Sequence, residues 1–257
     1  MTNDPSGPGP QRSLQPTCDA PMPPALSIVV LCYGAEERVE ALVAEIETLA
    51  RMLVRDWQVV LVGNYIPGSD DRTQHVVRRL ALGSPTVTAI AEPKEGMMGW
   101  DARMGMAAAR GDYICLVDGD GQFPVESIGR CYLTAVKHDL DLAMTYRASR
   151  SDSLLRLVLS TVYNAMFRLL FPGLGCRDVN SKPKVIRRSA YERMELRSDD
   201  WFVDAEIMLN VRRLGLTFEQ IPTVFSKLEG RRSFIRFATV VEFLVNLARH
   251  RVREFGR

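Results

Sequence analysis

The sequence is poor in the side chains that thiolate, imidazole and disulfide chemistry require. Its five cysteines, Cys18, Cys32, Cys115, Cys131 and Cys176, are odd in number and widely scattered. No two stand at C-x-x-C spacing, which excludes a zinc finger or a disulfide framework and points to a reducing compartment. The three histidines, His75, His138 and His250, show no metal-ligand spacing and read as solvated surface positions. A formal net charge of +2 provides no global basic footprint for nucleic acid. No uncharged apolar run reaches the roughly 20 residues of a transmembrane helix. Dinucleotide, P-loop and nucleophile-elbow signatures (G-x-G-x-x-G after the first strand, G-x-x-x-x-G-K-[ST], G-x-S-x-G) are also missing.

What remains is an ordinary globular composition, 46% hydrophobic and 25% charged over 257 residues, long enough for one large domain or two small ones. Residues 1–24 hold seven of the prolines with Ser, Gly and Gln and no apolar core, so they read as a disordered leader rather than a signal peptide. From there, short apolar runs alternate with segments of helical period. Leu26 to Tyr33, Trp57 to Val62, Thr86 to Ala91 and Asp112 to Val117 read as strands, with Asp141 to Tyr146 and Pro222 to Phe225 as further candidates. Val39, Leu42, Val43, Ile46, Leu49, Ala50 and Leu53 share one helical face. Helices are also expected around Val76, Val77 and Leu80 and from Pro124 through Ala135. Such alternation predicts an α/β fold, a mostly parallel central sheet flanked by helices. Ligands then sit at the carboxyl ends of the strands, which directs attention to the loops after Val62 and Val117.

The second of these loops reads VDGDGQFP. Asp118, Asp120 and Gln122 alternate, so an extended chain would project all three to one side. Two carboxylates and an amide oxygen are hard ligands suited to Mg²⁺ or Mn²⁺, with room left for phosphate oxygens. Gly119 and Gly121 allow the backbone to bend and a bulky ligand to approach. Asp and Gly are also common turn formers after any strand, but continuation into Gln122-Phe123-Pro124 favours the site.

This D-x-D-x-Q segment resembles that of inverting family 2 glycosyltransferases with the glycosyltransferase-A fold. It is most similar to the branch that glycosylates polyprenyl phosphates, including dolichol-phosphate mannose synthase. The resemblance runs from about Leu26 to Phe234 through MGWDARMGMAAARGDYICLVDGDGQFP, TYRAS, DVNSKPKVIRR and WFVDAEIMLNVRRLGLTFEQIPTVF. It implies a single nucleotide-sugar-binding domain over residues 25–232. Asp118 would contact the nucleotide beside the metal, and Asp120 and Gln122 would bind the ion that neutralises the donor diphosphate. Tyr33, Glu36, Asn64 and Gly119 would lie on the donor, with Arg231 or Arg232 as a donor-phosphate arginine. Arg147, with Arg156 and Ser160 at R-x-x-x-S spacing, would hold the acceptor phosphate. Departures occur where the family reads P-x-Y-N-E, D-D-G-S and S-G-F. Here stand Leu31-Cys32-Tyr33-Gly34-Ala35-Glu36, Gly63-Asn64 and Ser181-Lys182-Pro183.

The acceptor is argued from residues 154–171, apolar except for Arg156, Ser160, Thr161, Asn164 and Arg168. On a helix these make one polar stripe beside a wide apolar face, suited to lying in a membrane interface. An ordinary core helix is the competing reading. Residues 233–257 form a second amphipathic segment, with Phe237, Val241, Leu244 and Val245 at helical spacing and the cluster Arg249-His250-Arg251 and Arg253 beyond. A lipid phosphate is already an anion and needs positioning more than a base. A sugar hydroxyl needs a carboxylate, for which Asp204 and Glu206 are the candidates. These two stand two apart, so on a helix they diverge.

The sequence thus predicts an inverting, metal-assisted glycosyltransferase, peripheral on the cytosolic face of a membrane. It would move a sugar from a nucleotide diphosphate to a polyprenyl phosphate, with a membrane subunit or a second copy of the chain as further partner. Two alternatives stay open: a soluble transferase acting on a hydroxyl, and a catalytically silent binding protein on the same fold.

Overall fold

A computed structural model describes residues 23–149, 154–225 and 245–247. Residues 1–22 of the leader, Arg231, Arg232 and all but three residues of the 233–257 segment lie outside the described residues, as do the side chains of residues 154–159, Arg156 among them.

Strand β1 (Leu26–Leu31) is buried at every position and pairs in parallel with β2 (Trp57–Val62) on one side and β4 (Tyr113–Asp118) on the other. Its side chains alternate between two hydrophobic cores. Leu26, Ile28 and Val30 pack with β2 residues Val59 and Leu61 against the helices of one face. Val29 and Leu31 pack with Val60 and Val62 on the other. A strand covered on both faces has no polar side to show, which is why it reads as an apolar run broken only by Ser27.

Helix α1 (Arg38–Leu53) buries Val39, Leu42, Val43, Ile46 and Ala50, and α2 (Thr73–Gly83) buries Val76 and Val77, as their spacing predicts. Beyond α2, β3 (Val87–Ile90) pairs with β2. Helix α3 (Met98–Ala108) lacks an apolar stripe; it buries Gly99, Asp101, Ala102, Gly105 and Met106. Small residues bring it hard against the sheet, since a Cβ on Gly105 would come within 2.4 Å of Val29 Cγ1. Helical periodicity is blind to a buried face made of glycine and aspartate.

After β4 come α4 (Glu126–Lys137), β5 (Leu142–Ser149) and α5 (Leu154–Leu170). Then follow β6 (Lys184–Arg187), the short α6 (Arg188–Arg193), α7 (Val203–Leu214) and β7 (Phe218–Val224). The sheet order is β3-β2-β1-β4-β6-β5-β7, and only β6 runs antiparallel to its neighbours. Four residues long and opened by a lysine, β6 carries no strand signature. The mostly parallel, helix-flanked sheet is the expected architecture.

This order places the switch point of the sheet between β1 and β4. From β1 the chain builds outward through β2 and β3, then returns through α3 to β4 on the other side. The loops leaving the carboxyl ends of β1 and β4 therefore diverge and open a crevice, where α/β sheets bind ligands.

One polar residue interrupts β1. Ser27 Oγ donates to Gln58 Oε1 at 2.8 Å and accepts from the Gly111 N–H at 2.8 Å and the Arg110 N–H at 3.1 Å. It thereby fixes the turn into β4. Ser27→Ala strands the buried Gly111 N–H, so urea unfolding should show a loss of about 1–3 kcal/mol.

Candidate active site

Asp118 is the last residue of β4, paired in register with Leu31 at the end of β1. Immediately beyond it the chain turns. The Gly119 N–H donates to the Leu31 carbonyl at 2.8 Å, and a Cβ at position 119 would lie 2.7 Å from that oxygen. Only glycine permits this approach of the two strand ends. Gly121 takes φ +68° and the Gln122 N–H donates to Asp120 Oδ1 at 3.2 Å, while Phe123 and Val125 are buried and draw the chain into α4. The segment is therefore a tight turn and not the extended chain the alternation assumed. Asp118, Asp120 and Gln122 are gathered at the crevice by glycine-permitted bending rather than by strand pleat.

Beneath Asp118 lies a buried ionic ladder. Lys182 Nζ stands 3.1 Å from Asp118 Oδ1 and donates to Asp204 Oδ2 at 2.8 Å. Lys184 Nζ donates to Asp204 Oδ1 at 2.6 Å and to the carbonyls of Val179 and Ser181 at 2.9 and 2.8 Å. Burial would depress the Lys182 ammonium, but Asp118 and Asp204 together more than offset it and hold its pKa above the usual range. Burial prevails at Lys184, which shares one carboxylate and faces Lys182, so its pKa is lowered. Burial would raise Asp204, but the two lysines reverse this and hold it below the usual carboxylate range.

The two candidate bases diverge on α7 as their spacing predicts. Asp204 has both oxygens on the lysines. Glu206 accepts the Arg197 N–H at 3.0 Å and the Ser198 N–H at 2.9 Å, shaping the loop that precedes α7.

On the donor side, the loop after β1 is tied to the start of α2. The Gly34 N–H donates to Asp71 Oδ2 at 3.2 Å, and the Glu36 N–H, from a residue at φ +48°, to Thr73 Oγ1 at 2.9 Å. Tyr33 lies half-buried with Lys94 Nζ 4.6 Å from its ring centroid. The Asn64 side chain is fully buried and does not face the crevice as a ligand. Its Nδ2 donates to Asp101 Oδ1 at 2.8 Å and its Oδ1 accepts the Glu92 N–H at 2.8 Å. Asp101 also pairs with Lys94. Burial outweighs Lys94 and Asn64 and raises the Asp101 pKa. The pairings of Lys94 with Asp101 and of Lys182 with Asp118 and Asp204 were not visible as sequence patterns. Two carboxylate–lysine pairs formed across segments left no local motif.

On the acceptor side, Arg147 is clamped by Asp178, with Nε to Oδ2 at 2.7 Å and Nη2 to Oδ1 at 3.0 Å. The neighbouring Val179 N–H donates to Asn164 Oδ1 at 3.0 Å, and Asn164 Nδ2 donates to the Ser160 carbonyl at 2.9 Å. One segment, residues 178–179, thus links Arg147 on β5 to Ser160 on α5. The expected polar stripe of α5 is not a single solvent-facing row. Asn164 is only 5% exposed and turned inward, between Tyr163, Phe167 and Phe171 of the core. That side of α5 is the core helix of the competing reading. The outward side carries Val162 and Leu169, 48% and 80% exposed, beside Thr161 and Arg168. Among the described residues no helix is long and apolar enough to cross a membrane.

The chain belongs to glycosyl transferase family 2, whose model matches residues 27–194. It is a glycosyltransferase, an enzyme that transfers sugar from nucleotide-sugar donors. Among curated relatives, it is 24% identical over 236 residues to a dolichyl-phosphate beta-glucosyltransferase of Trichomonas vaginalis, covering 84% of this chain and 70% of that protein. It is 30% identical over 145 residues to an undecaprenyl-phosphate 4-deoxy-4-formamido-L-arabinose transferase of Pectobacterium carotovorum, covering 56% of this chain and 43% of the relative. The chain thus spans less than half of the second relative. Among solved structures, glucosyl-3-phosphoglycerate synthase from Mycobacterium tuberculosis with UDP superposes with a TM-score of 0.69 at 16% identity, over 89% of this chain and 80% of the other. The same enzyme with Mn²⁺, UDP-glucose and phosphoglyceric acid gives 0.69 at 17% identity, over 89% and 79%. At these identities the likeness shows the fold.

The ladder yields a stability prediction. Asp204→Asn leaves Lys182 and Lys184 without their shared charge and should lower unfolding free energy by about 3–5 kcal/mol. The Asp204 pKa is depressed in the folded state, so its contribution is fully present above the unfolded value of about 3.9 and is lost as pH falls through the folded one. Urea titrations from pH 7 to pH 2 should show this acid limb in the parent and a shallower one in Asp204→Asn.

Proposed function

We propose that the chain transfers a sugar, with inversion, from a nucleotide diphosphate to a polyprenyl phosphate at the cytosolic surface of a membrane. The observation that carries the acceptor is the state of the two candidate bases. Asp204 is neutralised by lysines and Glu206 is occupied by main-chain N–H groups. A hydroxyl acceptor would need one of them to take its proton. A lipid phosphate carries about −1.5 to −2 charges near neutrality and attacks without a base. Both curated relatives described above are named for transfer to a polyprenyl phosphate, which supports the same choice.

The roles follow from position. Asp118 and Tyr33 border the crevice between β1 and β4 and would receive the nucleotide. Asp120 and Gln122, in the turn that follows β4, would offer hard oxygen atoms to Mg²⁺ or Mn²⁺ together with donor phosphate oxygens. When bound, the ion would neutralise charge developing on the leaving diphosphate. Asp178 fixes the plane of the Arg147 guanidinium, the preorganisation that phosphate recognition rewards. Arg156, Arg231 and Arg232 complete the proposed set. Val162 and Leu169 on the outer side of α5 would rest on the membrane with Arg168 toward head groups.

A screen of UDP- and GDP-sugars against a short-chain prenyl phosphate tests this reading. Product is expected with the prenyl phosphate; product only with water-soluble acceptors would overturn it. Asp120→Ala should reduce transfer about 100-fold or more while the protein stays folded. In flotation with anionic vesicles, Val162→Glu combined with Leu169→Glu should shift protein from the floated to the soluble fraction. Unchanged flotation would remove α5 from the membrane contact.

A further inference from the structure

Lys182 stands in S-K-P, one of the places where this chain departs from its family's usual S-G-F. Its side chain is 3% exposed, yet it ends at the donor site. The ammonium lies 3.1 Å from one Asp118 oxygen and 3.4 Å from the other. It also meets Asp204 Oδ2 at 2.8 Å and Met98 Sδ at 3.7 Å. Three N–H bonds therefore have three destinations, and none is left over for solvent or ligand. Asp118, with its side chain 38% exposed, faces the crevice with a resident cation already on its carboxylate.

The charges explain what this does. Lys182 and Lys184 carry two positive charges, and Asp118 and Asp204 two negative, so the ladder is neutral as it stands. A divalent cation arriving alone at Asp118 would share that carboxylate with an ammonium that cannot leave. Like charges at such separations in a protein interior repel strongly. A cation arriving with a diphosphate brings its own counter-charge and can bind through Asp120, Gln122 and phosphate oxygens instead.

We propose that Lys182 is a positioning residue that keeps Asp118 out of direct metal coordination, so that the divalent cation binds appreciably only together with a nucleotide diphosphate. The inference rests on the nucleotide-sugar reading of the crevice and adds an order of binding to it. The geometry also identifies a benign way to test it. Without Lys182, Asp204 and Lys184 remain paired one to one, so the fully buried part stays neutral. Asp118, partly exposed, becomes an available ligand.

The test is titration of Mn²⁺ alone into the full chain, with free Mn²⁺ read by electron paramagnetic resonance. In the absence of nucleotide, Lys182→Met should bind Mn²⁺ about tenfold tighter than the parent, or more. Lys182→Met combined with Asp118→Asn should return to the parent affinity, since the gain runs through Asp118. With saturating UDP or GDP the parent and Lys182→Met should converge to within about threefold, because phosphate charge then dominates. Lys182→Gln, which keeps a hydrogen-bonding end without charge, serves if the Met variant fails to fold by circular dichroism. Equal Mn²⁺ affinity in the parent and the charge-free variants overturns the proposal, as does a gain that survives Asp118→Asn. Failure of the parent to bind Mn²⁺ even with either nucleotide would count against the nucleotide-sugar reading. The ratio measured with metal alone would still decide the role of Lys182.

Discussion

The structure around the crevice depends on one carboxylate shared by two buried lysines. Asp204 sits on the first turn of α7, and Lys182 and Lys184 flank the entry to β6. Isolated charges of this kind cannot be buried, so the three groups must come together or the core does not close. Their meeting fixes the position of α7 against the sheet. Lys184 also gathers the Val179 and Ser181 carbonyls, winding residues 178–184 around its ammonium. That winding places Asp178 to clamp Arg147 and Val179 to bond Asn164. Through Lys182 the same network reaches Asp118 at the end of β4. The end of β4 and the Arg147–Asp178 clamp are thus registered against each other by a buried ion cluster rather than by apolar packing alone.

The cluster also separates two kinds of acidic residue that look alike in a sequence. Asp204 and Glu206 lie in a segment where a catalytic base would stand, but their oxygens serve the protein's own ammonium and amide groups. Asp120 and Gln122 sit in a glycine-bent turn at the mouth of the crevice. Acidity in the buried pair is taken up by internal partners, whereas Asp120 and Gln122 are only partly buried. This division favours an acceptor that arrives already ionised.

Much of the fold was legible because its signals are local and apolar. β1, β2 and β4 are buried on both faces, and α1 and α4 carry clear stripes, so period and length sufficed. α3 was not legible, because a helix that buries Gly99, Asp101 and Gly105 has no hydrophobic stripe to display. β6 was hidden for a related reason, since a fully buried lysine opens it and only three residues follow. At the site, VDGDGQFP was found from its placement after a strand, although its geometry is a turn and not a pleat. Asn64 was assigned to the donor from alignment of position, whereas burial turns it toward Asp101 and Glu92. Lys182 stands out in the sequence only as a departure from S-G-F, because its partners Asp118 and Asp204 lie far along the chain and are brought to it by topology. Lys94 and Asp101 are seven residues apart, but nothing in that spacing marks a buried pair.

The two missed lysines point to a common property of the site floor. At the corner beside Tyr33, Lys94 pairs with Asp101, and under the acidic turn Lys182 pairs with Asp118. Where relatives of the D-D-G-S type place carboxylates after the second strand, this chain has Gly63-Asn64 and supplies the acid from α3 instead. In each case the carboxylate carries its own ammonium, so the floor offers hydrogen-bonding geometry with little net charge. Under the proposed roles, attraction for an anionic diphosphate would then come from a cation on Asp120 and Gln122, since Arg147 is itself paired with Asp178. In the proposed function, a floor of little net charge with a cation at its mouth would hold the phosphates outermost and leave the interior to the less charged base and ribose.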